Sequence, residues 1–335
     1  MSRRSNMALA TLLVACAFAL GGCVSHHAGA MPGEPTDSTF KAIQGARVHY
    51  VDTQTDGPPV VLLHGFASSL NNWAGVMPVL KEDHRVIALD LKGFGWTDRP
   101  AGDYSPQAQA KLVWGLLDEL GVEGPVAIVA HSWGSSVALA MALQTPDKVR
   151  RIALYDAWVY AEQLPSFFLW SRAAALGELL FWMFYKEQPD LKMSNAFYDK
   201  TIIDESFVEL VDEQLDRPGT IAAALAAVRG QRFELVEHEY RTITAPVLLL
   251  WGREDAVTPL RFGERLYSEL PNASLEVYPR CGHFPMIEAY GASTRELRDF
   301  LALDLGAGEP DVASVKPDIT LEAPGDSPEP EEVAR

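Results

Sequence analysis

The sequence predicts an α/β fold with a mostly parallel central sheet flanked by helices, on three observations. Short runs of β-branched and aliphatic residues recur along residues 40–305, helical patterns separate them, and one run enters a helix through a very tight turn of small residues. Strands are expected at 47–51, 59–63, 85–89, 125–129, 151–155, 246–251 and 274–278. Several are continuously apolar, as in Pro59-Val60-Val61-Leu62-Leu63, which is the pattern of strands covered on both faces. Helices are expected at 106–120 and 261–270, the second stopping before Pro271, because proline cannot continue a helix. With 335 residues and 48% hydrophobic content, the chain suffices for one large domain with a generous core.

The tight turn carries the chemistry. Val126-Ala127-Ile128-Val129 ends in Ala130-His131-Ser132-Trp133-Gly134, and Ser135-Ser136-Val137-Ala138-Leu139-Ala140 reads as the helix that follows. Small–x–Ser–x–Gly between a strand and a helix is a nucleophile elbow: neighbours must be small, and the hydroxyl is pushed clear of the sheet. A serine hydroxyl is a poor nucleophile alone and needs a base, an acid and oxyanion donors. Three segments offer them, each after an expected strand. His64-Gly65-Phe66-Ala67 follows 59–63, and 246–251 runs into the carboxylate-rich Gly252-Arg253-Glu254-Asp255. His283 stands in Cys281-Gly282-His283-Phe284-Pro285, just past the last strand. Its imidazole would take the Ser132 proton and return it to the leaving group.

In this order, the four segments resemble the α/β-hydrolase family over roughly residues 40–305. The resemblance implies the α/β-hydrolase fold and a triad of Ser132, Asp255 and His283, with Asp255 orienting the histidine. It also implies an oxyanion hole made by the backbone N–H groups of Phe66 and Trp133. Ala130 stands where the family's motif has its first glycine, and it is still small. Asp156 occupies a position at which some members carry the acid; Asp255 is the one expected here. Asp90-Leu91-Lys92-Gly93-Phe94-Gly95-Trp96-Thr97-Asp98-Arg99-Pro100 matches the family's D-x-x-G-x-G-x-S-x-x-P loop, with Thr97 for serine, and reads as scaffold near the site. About ninety residues separate the strand ending at Tyr155 from the strand at Pro246, and the family places a helical cap there, after its sixth strand.

Related haloalkane dehalogenases and epoxide hydrolases carry aspartate where Ser132 stands, so acyl transfer is expected. The reading is a serine hydrolase acting on carboxylic esters with apolar acyl groups, with no metal and no organic cofactor implied. Carbon–carbon bond hydrolysis or peracid formation by the same triad stays open. So does, from another class, a non-catalytic lipid- or ligand-binding lipoprotein on this fold.

The ends of the chain read differently. Arg3-Arg4 precedes a thirteen-residue apolar stretch, Ala8 to Leu20, long enough for a signal peptide and short for a membrane span. Leu20-Gly21-Gly22-Cys23 resembles the bacterial lipobox. That resemblance implies cleavage after residue 22, lipid attachment at Cys23 and a place in the cell envelope, at the outer membrane if the host is Gram-negative. An ordinary signal peptide cut elsewhere is the alternative. Residues 23–39 are then expected to be a flexible lipidated tether. Without residues 1–22 the chain holds 26 basic and 45 acidic residues, a net charge of −19 against −17 for the whole sequence. Such a charge argues against a nucleic-acid partner, and acyl chains rather than basic residues would supply anchoring. Cys281 would remain the lone thiol, a small buried filler.

The domain order expected is therefore a signal peptide (1–22), a tether (23–39), the first part of the core (40–157), a helical cap (158–243), the second part of the core (244–305) and a tail (306–335). The tail holds eight acids and two bases among many prolines, a composition expected to be disordered. Within the cap, Pro165 to Tyr185 is rich in Phe and Trp. Arg172 and Glu178 inside it argue against a membrane span. Two readings of the run stay open: an aromatic core inside the cap, or a lid whose apolar face lines an acyl pocket or touches lipid.

Overall fold

The computed structural model describes residues 24–302, except 188 and 204. The signal segment 1–22, Cys23 and the acidic tail 306–335 lie outside the described residues. One eight-stranded sheet organises the fold, in the order β1-β2-β4-β3-β5-β6-β7-β8. Its strands are β1 (Thr39–Ile43), β2 (Ala46–Asp52), β3 (Pro59–Leu63), β4 (Arg85–Leu89), β5 (Val126–His131), β6 (Val149–Tyr155), β7 (Val247–Gly252) and β8 (Ala273–Tyr278). Strand β2 runs antiparallel to β1 and β4, and all other pairings are parallel. The seven expected strands are all present, within two residues at each end. β1 was not expected: Thr39-Phe40-Lys41-Ala42-Ile43 carries a lysine and too few apolar residues to stand out. It forms by hairpin pairing with β2 at the sheet edge, where a polar strand is tolerated.

Helices cover both faces. The short α1 (Met77–Leu80) precedes β4, and α2 (Pro106–Glu119) follows it. Helix α2 opens with Pro106 in its first turn and with the Ser105 hydroxyl accepting from the Ala108 N–H at 3.2 Å, a cap for one of the donors a helix start leaves unpaired. Helix α3 (Trp133–Gln144) lies beside α2, and both pack with α9 (Arg261–Glu269) against one face through residues such as Leu112, Leu116, Val137 and Leu266. Leu80 of α1, Met286 of α10 (Pro285–Glu288) and Leu297 of α11 (Tyr290–Ala302) cover the other. Between β6 and β7 stand the cap helices α4 (Ser166–Ser171), α5 (Leu176–Phe184), α6 (Pro189–Ala196), α7 (Glu205–Asp216) and α8 (Thr220–Gly230).

The stretch read as a free tether is ordered over residues 24–38. His27 pairs with Arg99 through backbone bonds of 2.9 and 2.7 Å, and Gly29 donates to Asp98. Met31 is buried, and Glu34 bonds Arg47 at 2.8 Å. Its Gly/Pro-rich composition looked like a linker; specific hydrogen bonds and one buried methionine hold it to the domain instead. The notable consequence of the strand order lies at β3: it has β4 on one side and β5 on the other, so the chain reverses its winding there. In such sheets the carboxyl ends of the strands at the reversal leave a crevice for ligands.

Candidate active site

Two of the site segments leave the sheet side by side, because β3 and β5 pair in parallel with Leu63 opposite Ala130. Ser132 follows β5 with φ 51° and ψ −123°, a conformation that L-residues adopt only under constraint. That constraint is visible. A Cβ at Gly134 would lie 2.5 Å from His64 O and 2.7 Å from Leu63 O, and one at Gly65 would lie 3.0 Å from the Ser132 Cβ. The elbow therefore requires hydrogen at Gly134 and leaves little room at Gly65. Ser132 is held further by its N–H donating to Tyr155 O at 2.9 Å and by its carbonyl accepting from Trp158 at 3.1 Å. Trp133 opens α3, so its N–H has no acceptor within the helix. The N–H groups of Phe66 and Trp133 enter no hydrogen bond among the described residues, which leaves both donors open to a ligand oxygen.

His64 braces the loop that carries Phe66. Its Nε2 accepts from Leu91 N–H at 2.9 Å, so the ring proton sits on Nδ1, 2.7 Å from Gly65 O. Burial holds His64 below its usual pKa, keeping it neutral for this role. The Asp90 loop is scaffold, as expected. Asp90 accepts from Leu70 N–H at 2.7 Å and Trp96 N–H at 2.8 Å and bonds the His49 ring at 2.7 Å. Cys281 is a buried free thiol whose pKa is pushed up by burial.

The candidate acid and base meet past the ends of β7 and β8. Asp255 Oδ2 lies 2.8 Å from His283 Nδ1, both buried. A carboxylate only accepts, so Nδ1 carries the proton and Nε2 is free to act as a base. Asp255 is fixed in turn by the N–H groups of Val257 and Thr258, at 2.7 and 3.0 Å, and by the Thr258 hydroxyl at 2.6 Å. Burial alone would raise the Asp255 pKa. The His283 ring, with bonds from Asp156 and Thr258, overcomes this and holds it below the usual carboxyl range. No hydrogen bond joins the Ser132 hydroxyl to the His283 ring in this structure. The two are tied through His131, whose Nε2 donates to His283 O at 2.8 Å and whose ring centroid is 4.7 Å from that of His283. Burial, followed by the His283 charge, holds His131 well below its usual pKa.

Three neighbours complete the site. Asp156 is fully buried at φ 43°, with one oxygen accepting from Gly252 N–H at 3.0 Å. Its donor atoms, with those of Asp255 and His283, all lie within 4.8 Å of one another. Within this trio Asp255 and His283 bond each other. Burial, followed by the Asp255 charge, pushes the Asp156 pKa well up, and its Oδ2 is buried without a hydrogen-bond partner among the described residues. Thr258 and Glu288 were missed in the sequence. The D-x-x-T spacing from Asp255 to Thr258 is a local signal for the first. Nothing local signals Glu288, which accepts from Gly282 at 2.7 Å and from Tyr198 and Asp199 at 2.8 Å each. It thereby clasps the His283 loop to the cap, as does His283 N–H donating to Ala196 O at 2.7 Å.

Above the site lies a cavity of about 620 Å3 beneath the cap. It begins beside the triad candidates, at Phe66, at Trp158 and at Phe284 next to His283. Phe167, Phe168 and Leu215 of the cap form its apolar walls, and Ser68, Ser69 and Asn72 give it one polar edge. The aromatic run thus divides. Phe167, Phe168, Phe181 and Tyr185 stack within the cap and over Phe66, whereas Trp170 and Trp182 face outward.

Comparison with known proteins agrees with this geometry. The profile of the alpha/beta hydrolase fold family matches residues 58–175 and 162–290, more than half of the chain. A 2-hydroxy-6-oxo-2,4-heptadienoate hydrolase of Pseudomonas putida is 32% identical over 260 residues, covering 74% of this chain and 90% of that one. A meta-cleavage product hydrolase from Pseudomonas fluorescens IP01 superposes with a TM-score of 0.67 at 27% identity, over 78% of this chain and 97% of the other. A thermophilic esterase from Thermogutta terrifontis does so with a TM-score of 0.67 at 25% identity, over 79% and 98%. With an eight-stranded sheet of this order and relatives of this kind, the chain belongs to the alpha/beta hydrolase fold family and is an enzyme of the hydrolase class.

Proposed function

We propose that the protein is a serine hydrolase of neutral carboxylic esters, with an apolar acyl group in the cavity and a small polar alcohol at its edge. The observation that carries this reading is the cavity itself. Among the described residues lining it none is Lys or Arg, and its walls are aromatic and aliphatic. Burying a carboxylate there without a cation costs several kcal/mol, about 3 or more; burying an alkyl chain is favourable, about 0.8 kcal/mol per methylene. The Asn72 Nδ2 group lines the polar edge buried and without a hydrogen-bond partner among the described residues, a donor suited to an alcohol oxygen. Ser132 attacks the carbonyl, the Phe66 and Trp133 N–H groups hold the oxyanion, and His283, aligned by Asp255, moves the proton. Water then clears the acyl-enzyme.

The second reading is carbon–carbon bond hydrolysis, favoured by the 32%-identical relative that acts on a dienoate. The same triad would serve it, but its substrate's carboxylate finds no cation among the described residues lining this cavity. Peracid formation with peroxide as nucleophile and, from a different class, a non-catalytic binding lipoprotein are the remaining readings. We also propose that Cys23 is acylated and holds the enzyme to a membrane of the cell envelope, on the lipobox-like Leu20-Gly21-Gly22-Cys23. Among the described residues no helix is long and apolar enough to cross a membrane.

The test pairs wild type with Ser132→Ala on p-nitrophenyl esters of two to sixteen carbons and on a dienoate ketone, after fluorophosphonate labelling. Ester turnover and labelling, both lost in the variant, are expected. Faster turnover of the dienoate would move the assignment to the second reading. Folded wild-type protein that is never labelled would leave the binding reading standing.

A further inference from the structure

Cap helices α4 and α5 present a broad apolar face to solvent. Trp170 is 62% exposed and Trp182 is 51% exposed, with Leu169, Leu176, Leu179 and Met183 also exposed. On α5, positions 176, 179, 182 and 183 recur at helical spacing, while Phe181 on the opposite side is buried in the cap. Contiguous exposed apolar faces of this kind mark contact with a partner or a membrane. The cations around it are already paired. Arg229 bonds Glu178 at 2.8 Å, Lys186 bonds Asp216 at 2.8 Å, and Arg172 lies 3.5 Å from Glu234.

Two observations say what covers this face. The first is where the described chain starts. Val24 lines a surface cleft together with Glu178 of α5 and Arg229 of α8, and successive Cα atoms are about 3.8 Å apart. The described chain therefore begins on the cap side of the domain. Residues 24–38 are hydrogen-bonded to the domain, so Val24 is held beside α5 with little slack. The second is the cavity. Phe184 of α5 and Leu210 of α7 both line it and are both exposed, so the substrate space and the apolar face share their walls.

We propose that the α4–α5 face rests on the surface of a lipid bilayer, with Trp170 and Trp182 at the interface, so that the apolar cavity opens toward the lipid. The proposal rests on the acylation of Cys23 put forward above. Tryptophan suits that depth because its ring is apolar and its N–H reaches water. With no spare cation among the described residues of the face, docking is insensitive to anionic lipid.

The experiment uses the full chain, expressed with its signal segment and reconstituted into phosphatidylcholine vesicles brominated at acyl carbons 6 and 7. Mass analysis of the N-terminal peptide reports acylation separately. The other six tryptophans are buried or half-buried, so bromine quenching reads mainly Trp170 and Trp182. The expected result is strong quenching that falls by more than half in Trp170→Phe/Trp182→Phe and is unchanged, within about a fifth, by adding anionic lipid. Trp170→Ser/Trp182→Ser should hydrolyse a soluble short-chain ester within about twofold of wild type, which shows that it is folded, and leave vesicle-borne substrate several-fold slower. Acylated, vesicle-bound protein whose tryptophans are not quenched overturns the docking while leaving Cys23 acylated. Quenching of a chain that carries no acyl group keeps the docking and removes the anchor. Tryptophans shielded from acrylamide in a sedimenting dimer, without bromine quenching, assign the face to a second copy and overturn the proposal.

Discussion

The carboxyl groups of Asp156 and Asp255 lie together in one buried pocket behind His283, the pKa of the first pushed up by burial and that of the second held down by the His283 ring. Two buried charges of like sign at this separation cannot both persist, so one proton is shared. Asp255 keeps its charge because His283 and Thr258 bond it. Asp156 takes the proton because no cation faces it and one of its oxygens accepts only a single N–H, from Gly252.

Asparagine at position 156 keeps an acceptor for Gly252, and it has no proton to lose. Unfolded, Asp156 ionises in the usual carboxyl range; folded, it stays protonated well above that range. Its contribution to stability is thus complete below the ordinary carboxyl pKa and is lost as pH rises toward the raised value, at about 1.4 kcal/mol per pH unit. Melting curves from pH 5 to 9 should show Asp156→Asn gaining on wild type as pH rises, with activity near wild type at neutral pH. A constant difference across that range would falsify the proton assignment. Asp255 has the opposite sign: its contribution is present above the ordinary carboxyl pKa and fades as pH falls through its lowered value.

Gly65→Ala places a methyl 3.0 Å from the Ser132 Cβ and 3.1 Å from His131 Nδ1. The loop bearing Phe66 must give by a few tenths of an ångström, which misaims one oxyanion donor. Loss of one such donor is worth about 10²–10³ in kcat. Steady-state kinetics should show a fall of that order with KM little changed, and a kcat within threefold of wild type would remove Phe66 from the oxyanion hole.

Glu288→Ala leaves the N–H groups of Gly282, Tyr198 and Asp199 without their shared acceptor. Charge-assisted bonds of this kind contribute about 1.5–3 kcal/mol. A destabilisation of about 2–3 kcal/mol in urea unfolding is expected, with kcat down roughly tenfold as the His283 loop loosens from the cap. Unaltered kcat alongside the stability loss would make the clasp structural only.

Phe168→Ala removes a ring that packs 5.4 Å from Phe66 and 5.9 Å from Trp158, centroid to centroid, beside the cavity. The enlarged space should move the preferred acyl length upward by several carbons and cost turnover of short esters. An ester ladder with an unmoved maximum counts against this wall as the acyl site.

The triad candidates were legible in the linear order because each sits at a strand end where the motif is local. Small residues around Ser132 and the short distance from β5 to α3 need only nearby sterics. The sheet was legible for a similar reason, since strands such as Val126–His131 must be apolar throughout to be covered on both faces. What neighbours in sequence could not convey is what distant residues do together. Glu288 joining the cap to the His283 loop, the opposed pKa shifts of Asp156 and Asp255, and the docking of residues 24–38 each depend on contacts between segments far apart in the chain. Local composition reports how a segment can fold; whether a carboxyl is ionised, or a Gly/Pro-rich stretch is held down, is decided by burial and partners that exist only once the chain has closed.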